Sequence, residues 1–155
     1  EIKECDWSSD VCSSDLNDIH ITDHIIPNKK PNKMTNPFRD QEKFMRACDQ
    51  TVGDENQDQY KLYLDLINEE VQELRDSETA KDDLDALIDI LVVTIGAIYS
   101  MGADPEGAWR EVMATNFAKI DRVTGKVRKR EDGKVLKPVG WTPPDLKPYL
   151  HRNHR

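Results

Sequence analysis

The sequence predicts an all-α protein, in which a four-helix bundle is followed by a C-terminal basic β-hairpin and an extended proline-rich arm. Two observations carry this prediction. Apolar residues recur at helical spacing over most of residues 37–120, and glycines, prolines or polar breaks separate the stretches. Beyond residue 122, Asp132 and Gly133 stand between two short candidate strands, a pattern typical of a hairpin turn.

Residues 1–33 fit no element of this bundle. Residues 6–16, DWSSDVCSSDL, resemble a translated sequencing-adaptor oligonucleotide, and the residues after them carry few apolar side chains. We expect an artefactual or disordered leader, with the protein's own sequence starting at Met34. A natural disordered leader is the alternative. Residues 34–121 would then form the helical catalytic domain, and residues 122–155 the hairpin and arm.

The first two helices are predicted from their apolar spacing. Helix 1 is expected over Pro37–Gln50, because proline is favoured at the first helical position. Helix 2 is expected over Asp58–Asp76, where apolar residues from Tyr60 to Leu74 form a single stripe.

Helix 3 is predicted over about Ala80–Met101, and the run after Asp89 is apolar on nearly every face. Such a helix belongs at the centre of a bundle. Only about ten apolar residues follow Asp89, whereas a membrane span needs about 20. Ser77 or Thr79 can cap helix 3, and Gly102 ends it. Asp104 and Pro105 are the expected cap and first residue of helix 4.

Charge divides the chain into an acidic body and a basic tail. Residues 34–121 hold 20 acidic and 8 basic residues, a net charge of −12, whereas residues 122–155 hold 3 and 10, a net charge of +7. The acidic body argues against a nucleic-acid-binding surface. With Cys5 and Cys12 in the leader, Cys48 is the only remaining thiol and no intrachain disulfide is expected. A reducing, cytoplasmic setting follows.

Carboxylates on helices 2 and 3 form the candidate site. Glu70 and Glu73 lie one turn apart on one flank of helix 2, beside its apolar stripe. Asp85 and Asp89 continue a carboxylate row on helix 3, and Asp89 is the only charged residue between Ala86 and Ala103. A carboxylate in a bundle core needs a cation, a paired base or a raised pKa. All-oxygen ligands favour Mg²⁺, with Mn²⁺ as a substitute.

Two simpler interpretations compete with a metal site. Glu70 and Glu73 alone could belong to an ordinary solvated helix face. Asp89 could instead form a buried salt bridge with Arg39, Arg46 or Arg110.

The run EEVQE, followed by DALIDILVV, resembles the EExxE and ExxD motifs of MazG-like all-α pyrophosphohydrolases. The resemblance extends over Met34–Leu146. This region is similar to small phage and bacterial proteins described as phosphoribosyl-ATP pyrophosphohydrolase-like. The resemblance implies metal ligation by Glu70, Glu73 and Asp89. The Glu of ExxD falls at Ala86, a departure from the motif, and Asp85 is the candidate replacement.

The resemblance also implies a reaction, in which a nucleoside triphosphate is hydrolysed to a monophosphate and pyrophosphate with Mg²⁺. Glu69 would orient water or hold a second ion. Asn116 and Lys119 match residues of relatives, Lys119 would pair a phosphate during catalysis, and Arg122 could assist. Phosphoribosyl-ATP is the alternative substrate, and a non-catalytic helical oligomer that binds a nucleotide or protein partner is the rival of another class. A homodimer or higher homo-oligomer is expected, without a nucleic-acid or membrane partner.

Overall fold

A computed structural model describes residues 35–150, and four α-helices form the body of this part of the chain. The helices are α1 (Pro37–Ala47), α2 (Gln57–Asp76), α3 (Ala80–Ser100) and α4 (Pro105–Phe117), and a 3₁₀ turn covers Lys147–Tyr149. The predicted all-α class is confirmed for these residues. The prediction for residues 1–33 lies outside them.

Each helix begins at a side chain that accepts hydrogen bonds from the first helical turn. The caps are Asn36, Asn56, Thr79 and Asp104. Thr79 is one of the two caps predicted for α3, and Asp104 is the cap predicted for α4. Gly102, with a φ of 70°, follows the end of α3 as predicted. Helix α1 ends three residues before the predicted boundary, and Asp49, just beyond its C-cap, has a φ of 57°.

The core lies between α1, α2 and the second half of α3. Its buried members are Met45, Tyr63, Val93, Ile95, Ala97 and Tyr99. Helices α2 and α3 approach closely at Gly96, where an added Cβ would lie 2.2 Å from Cε1 of Tyr63. Burial raises the pKa of Tyr63 to about 12, so its hydroxyl stays protonated and donates to Oε1 of Gln50 at 2.6 Å.

The prediction that α3 is central is correct for its second half only. In the first half, Ala86 is the one buried residue, and four apolar side chains are between 45% and 62% exposed. These are Leu84, Leu87, Ile88 and Leu91, which we call the exposed α3 face. These side chains are exposed because of where the other helices lie. Helix α1 packs at the opposite end, where the Tyr99 hydroxyl donates to the carbonyl of Phe38, and α4 begins only after that end.

The C-terminal segment folds back onto α4 without forming strands among the described residues. The chain reverses at Asp132 and Gly133, and only isolated bridges, such as Lys129 with Val135, flank the turn. The predicted β-hairpin and extended arm are therefore not confirmed. The indole N–H of Trp141 donates to the carbonyl of Thr115 at 2.9 Å, and the backbone N–H of Asp104 donates to the carbonyl of Tyr149 at 2.8 Å.

Two further observations bear on the chain's setting. Cys48 is disulfide-bonded, which contradicts the expectation for this thiol; its partner lies outside the described residues. Within residues 35–150, no helix combines the length and the apolar character that a bilayer crossing requires.

Candidate active site

Glu70 is the buried member of the acidic motif on α2. Its residue surface is only 6% exposed, although the neighbouring Glu69 and Glu73 are exposed. It has no hydrogen bond and no ion pair with any residue of the described part. A carboxylate on a buried residue without a partner is less favourable when ionised than one in water, so the surroundings disfavour the charged form of Glu70.

Charges on both helices surround Glu70. Its pKa is raised to about 7, first by burial and then by the charges of Glu73, Asp89, Glu69 and Asp85, in that order. We call these five residues the acidic cluster. Helices α2 and α3 therefore bring together all five carboxylates singled out from the sequence.

Asp89 is the half-buried member of the acidic cluster on α3. Burial raises its pKa first, and the charge of Asp85 raises it further. Glu70 and Asp89 therefore share one electrostatic environment, in which burial and like charges both disfavour the ionised form.

The salt-bridge interpretation of Asp89 is wrong for the described residues. Nε of Arg39 lies 3.7 Å from Glu106, and Nη1 of Arg110 lies 3.4 Å from the same glutamate. Arg46 pairs with Glu42 at 2.9 Å. All three candidate arginines thus have other partners. Burial of Glu70 likewise excludes the solvated-face interpretation for that residue.

The departure from the ExxD motif has a structural counterpart. Ala86 is buried, at 5% exposure, so its side chain is part of the packed surface of α3. Asp85, one residue earlier, is exposed and contributes to the raised pKa of both Glu70 and Asp89. Asp85 therefore places a negative charge near Glu70 and Asp89, although position 86 carries no carboxylate.

The donor set of the acidic cluster fits a hard divalent cation. All its side-chain donors are carboxylate oxygens, the ligands that Mg²⁺ prefers, and none is engaged by a base. Within residues 35–150, no three Asp, Glu, His or Cys side chains stand close enough to share one ion as placed. Because like charges repel, ligation requires the carboxylates to turn inwards as a cation neutralises them.

The residues predicted on the phosphate side form a separate group. Nζ of Lys119 donates to Oδ1 of Asn116 at 2.8 Å, just beyond the end of α4, and Arg122 is exposed. Among the described residues, none of these three forms a hydrogen bond or an ion pair with a member of the acidic cluster. One chain therefore brings the acids together but does not bring these three residues to them.

Sequence reasoning missed Lys137. Its Nζ lies 4.2 Å from the centre of the Trp141 ring, and Nζ of Lys119 lies 5.1 Å from the same centre. Sequence spacing could not have predicted this contact, because Lys119 and Lys137 lie beside the same ring only when the C-terminal segment folds back.

The fold and the acidic cluster define an all-α protein with a carboxylate-rich site between two helices joined by a short loop. A family model described as phosphoribosyl-ATP pyrophosphohydrolase matches residues 38–116, which include nearly all of the four helices and the whole acidic cluster. The chain belongs to this family, whose members are pyrophosphohydrolases. A comparison with curated proteins found no match. The matched region ends at Asn116, so Lys119, Arg122 and the C-terminal segment lie beyond it.

Proposed function

We propose that this protein is a Mg²⁺-dependent nucleotide pyrophosphohydrolase that converts an NTP or dNTP to the monophosphate and pyrophosphate. The observation that carries the proposal is the acidic cluster around the buried and unpaired Glu70. A fold keeps such a group where a ligand compensates its cost, and a divalent cation with a phosphate chain is the ligand that these oxygens suit.

The family resemblance suggests a role for each of these residues. Glu70, Glu73, Asp85 and Asp89 would hold Mg²⁺, with Mn²⁺ as a substitute, and Glu69 would orient the attacking water as a catalytic residue. When bound, the ion would neutralise phosphate charge and lower the pKa of water. Water adds to the α-phosphorus, the bond to the bridging α–β oxygen breaks, and pyrophosphate leaves. Asn116, Lys119 and Arg122 would bind phosphate, and Lys119 would stabilise the charge of the leaving group.

Phosphoribosyl-ATP is the second candidate substrate, because the family description names it. Hydrolysis of this compound breaks the same type of bond and makes the same demands on the acidic cluster. The two proposals therefore differ in what surrounds the base and ribose, and substrate assays must separate them.

The deciding experiment measures pyrophosphate release from NTPs, dNTPs and phosphoribosyl-ATP, with Mg²⁺, with Mn²⁺ and with EDTA. We expect turnover of NTPs or dNTPs with either cation and none with EDTA. Exclusive turnover of phosphoribosyl-ATP would support the second candidate. Absence of turnover throughout would favour the rival hypothesis, a non-catalytic oligomer that binds nucleotide or a protein partner.

We also propose a homodimer joined through the exposed α3 face. Leu84, Leu87, Ile88 and Leu91 follow helical spacing, and a two-fold axis would pair this stripe with itself. On the helix, Asp85 and Asp89 lie between this face and the side that packs on α2, so the carboxylates flank the interface without entering it. We propose that the protein has no nucleic-acid or membrane partner.

A further inference from the structure

Two lysines share one aromatic ring at the C-terminal end of α4. Lys119 follows the helix directly, whereas Lys137 and Trp141 belong to the segment that folds back. Their Nζ atoms lie 5.1 Å and 4.2 Å from the centre of the Trp141 ring, within the range of cation–π attraction. We call Asn116, Lys119, Lys137 and Trp141 the Trp141 cluster.

The cluster is held in place by hydrogen bonds to α4. The indole N–H of Trp141 donates to the carbonyl of Thr115 at 2.9 Å, which fixes the half-buried ring against the last turn of the helix. Lys119 donates to the side-chain oxygen of Asn116 at 2.8 Å. Both ammonium groups are therefore positioned by neutral partners.

Neither ammonium is neutralised. In the described part of the chain, Lys119 and Lys137 have no hydrogen bond or ion pair to a carboxylate, and two of the three acids of residues 119–137 are engaged elsewhere. Asp121 accepts hydrogen bonds from Val123 and Thr124, and Asp132 pairs with Arg130. Residues 119–137 hold eight basic and three acidic residues, so the local charge is also positive.

Two cations held beside one ring repel each other, and an anion bound to both would relieve that repulsion. Lysine binds phosphate as a point charge, and two such charges suit two neighbouring phosphates. We infer that the Trp141 cluster binds a diphosphate group, with Lys119 and Lys137 as binding residues and Trp141 as the positioning residue. The inference rests on the proposed function only for the source of that group, a nucleotide or released pyrophosphate.

The test uses the full chain in EDTA at low salt, where the acidic cluster is not needed for binding. Calorimetric titrations with pyrophosphate, ATP and adenosine give the affinities. We expect pyrophosphate and ATP to bind and adenosine not to bind. Preference for ATP over pyrophosphate would identify the substrate as the source, and the reverse would identify the product. Failure of both to bind overturns the inference.

Lys137→Met is the decisive variant, and Lys134→Met is its control, because Lys134 carries the same charge in the same segment but does not contact Trp141. We expect the affinity for pyrophosphate to fall about 10-fold in Lys137→Met, the scale of one charge-assisted hydrogen bond, and to change little in Lys134→Met. Equal losses in the two variants would show that only the general positive charge matters, and would overturn the site.

Two more variants test the role of the Trp141 ring and the independence of the two sites. Trp141→Phe should weaken pyrophosphate binding while helix content stays constant, because it removes the bond to Thr115; unchanged affinity would contradict the positioning role. Glu73→Gln should bind pyrophosphate normally in EDTA and lack turnover with Mg²⁺. Turnover without pyrophosphate binding rejects the inference alone, whereas binding without turnover in the unmodified chain rejects the proposed function alone.

Discussion

The two halves of α3 differ in charge and in surroundings, since all five charged residues of the helix lie in its first half. The second half carries Val93, Ile95, Ala97 and Tyr99 into the core, and Ser100 is fully buried. Gln59 ties this end to α2, since its side-chain amide donates to Oγ of Ser100 and to the carbonyl of Thr51, each at 2.8 Å. The first half has one buried residue, Ala86, among half-exposed leucines and isoleucine, with Asp85 and Asp89 beside them.

The difference indicates that the second half stabilises the fold, whereas the first half is available for ligands. Under the proposed function, the apolar side chains of the first half would contact a second copy of the chain, and its carboxylates would hold a cation. Both would contribute stability that the isolated chain does not have. The following predictions test this division, from the largest expected effect to the smallest.

Removing one charge from the acidic cluster should abolish activity without unfolding the protein. We expect Glu73→Gln and Asp89→Asn each to lower pyrophosphate release at least about 100-fold, the scale of one lost electrostatic stabiliser of a transition state. The measurement is turnover with saturating Mg²⁺, together with helix content by circular dichroism.

Asp54→Asn is the matched control, because Asp54 is an exposed carboxylate in the loop before α2. It should retain activity. If Asp89→Asn remained as active as Asp54→Asn, the first half of α3 would not be the site of the chemistry.

A charge on the exposed α3 face should separate the two copies. Ile88→Glu would bury an unpaired carboxylate in the proposed interface, which costs several kcal/mol and should weaken dimerisation at least about 100-fold. Light scattering after size exclusion, over a range of concentrations, measures the mass. Val139→Glu is the control, since Val139 is fully exposed in the C-terminal segment. A dimer that survives in Ile88→Glu would place the interface elsewhere.

Periodicity and turn chemistry predicted the helices well, because such features are local. Thr79, Gly102, Asp104 and Pro105 set boundaries through hydrogen bonds and backbone angles within one turn. It was also predictable that Asp89 lies near enough to Glu70 to raise its pKa, since neighbouring helices joined by a short loop pack along each other.

Features that depend on distant contacts were not predictable. The exposure of Leu87 and Ile88 depends on which part of α3 is covered by α1, and their helical spacing is also that of a buried face. The contact of Lys137 with Trp141 requires the C-terminal segment to fold back onto α4. The predicted strands failed to form a ladder, because mostly exposed residues around Asp132 and Gly133 have no sheet to pack against.

The apo protein should lose stability as the pH rises through the range in which Glu70 ionises. The pKa of Glu70 is raised from 4.5 to about 7, so the folded state binds more protons than the unfolded state between these values. Stability then falls with rising pH, by at most about 3 kcal/mol above pH 7. Urea unfolding in EDTA between pH 5 and 8 measures this loss of stability.

Glu70→Gln removes the titrating group and should flatten this pH dependence, whereas Glu131→Gln, in the exposed tail, should leave it intact. Added Mg²⁺ should stabilise the unmodified protein most at high pH, where the carboxylates are charged. A difference between wild type and Glu70→Gln that does not vary with pH would mean that Glu70 is not held in an unfavourable site.

The smallest predicted effect tests the second half of α3. Gly96→Ala places a methyl group where the Tyr63 ring already lies, 2.2 Å from Cε1, so α2 and α3 must move apart. Overpacking of this kind costs about 1–3 kcal/mol, against a gain in helix propensity of about 1 kcal/mol. We expect net destabilisation in urea, and a smaller penalty for the same change in a Tyr63→Leu background, where the ring is absent. Equal penalties in the two backgrounds would show that this contact does not set the spacing of the helices. A penalty that depends on Tyr63, with turnover retained, would show that the second half of α3 sets the fold while the first half carries the site.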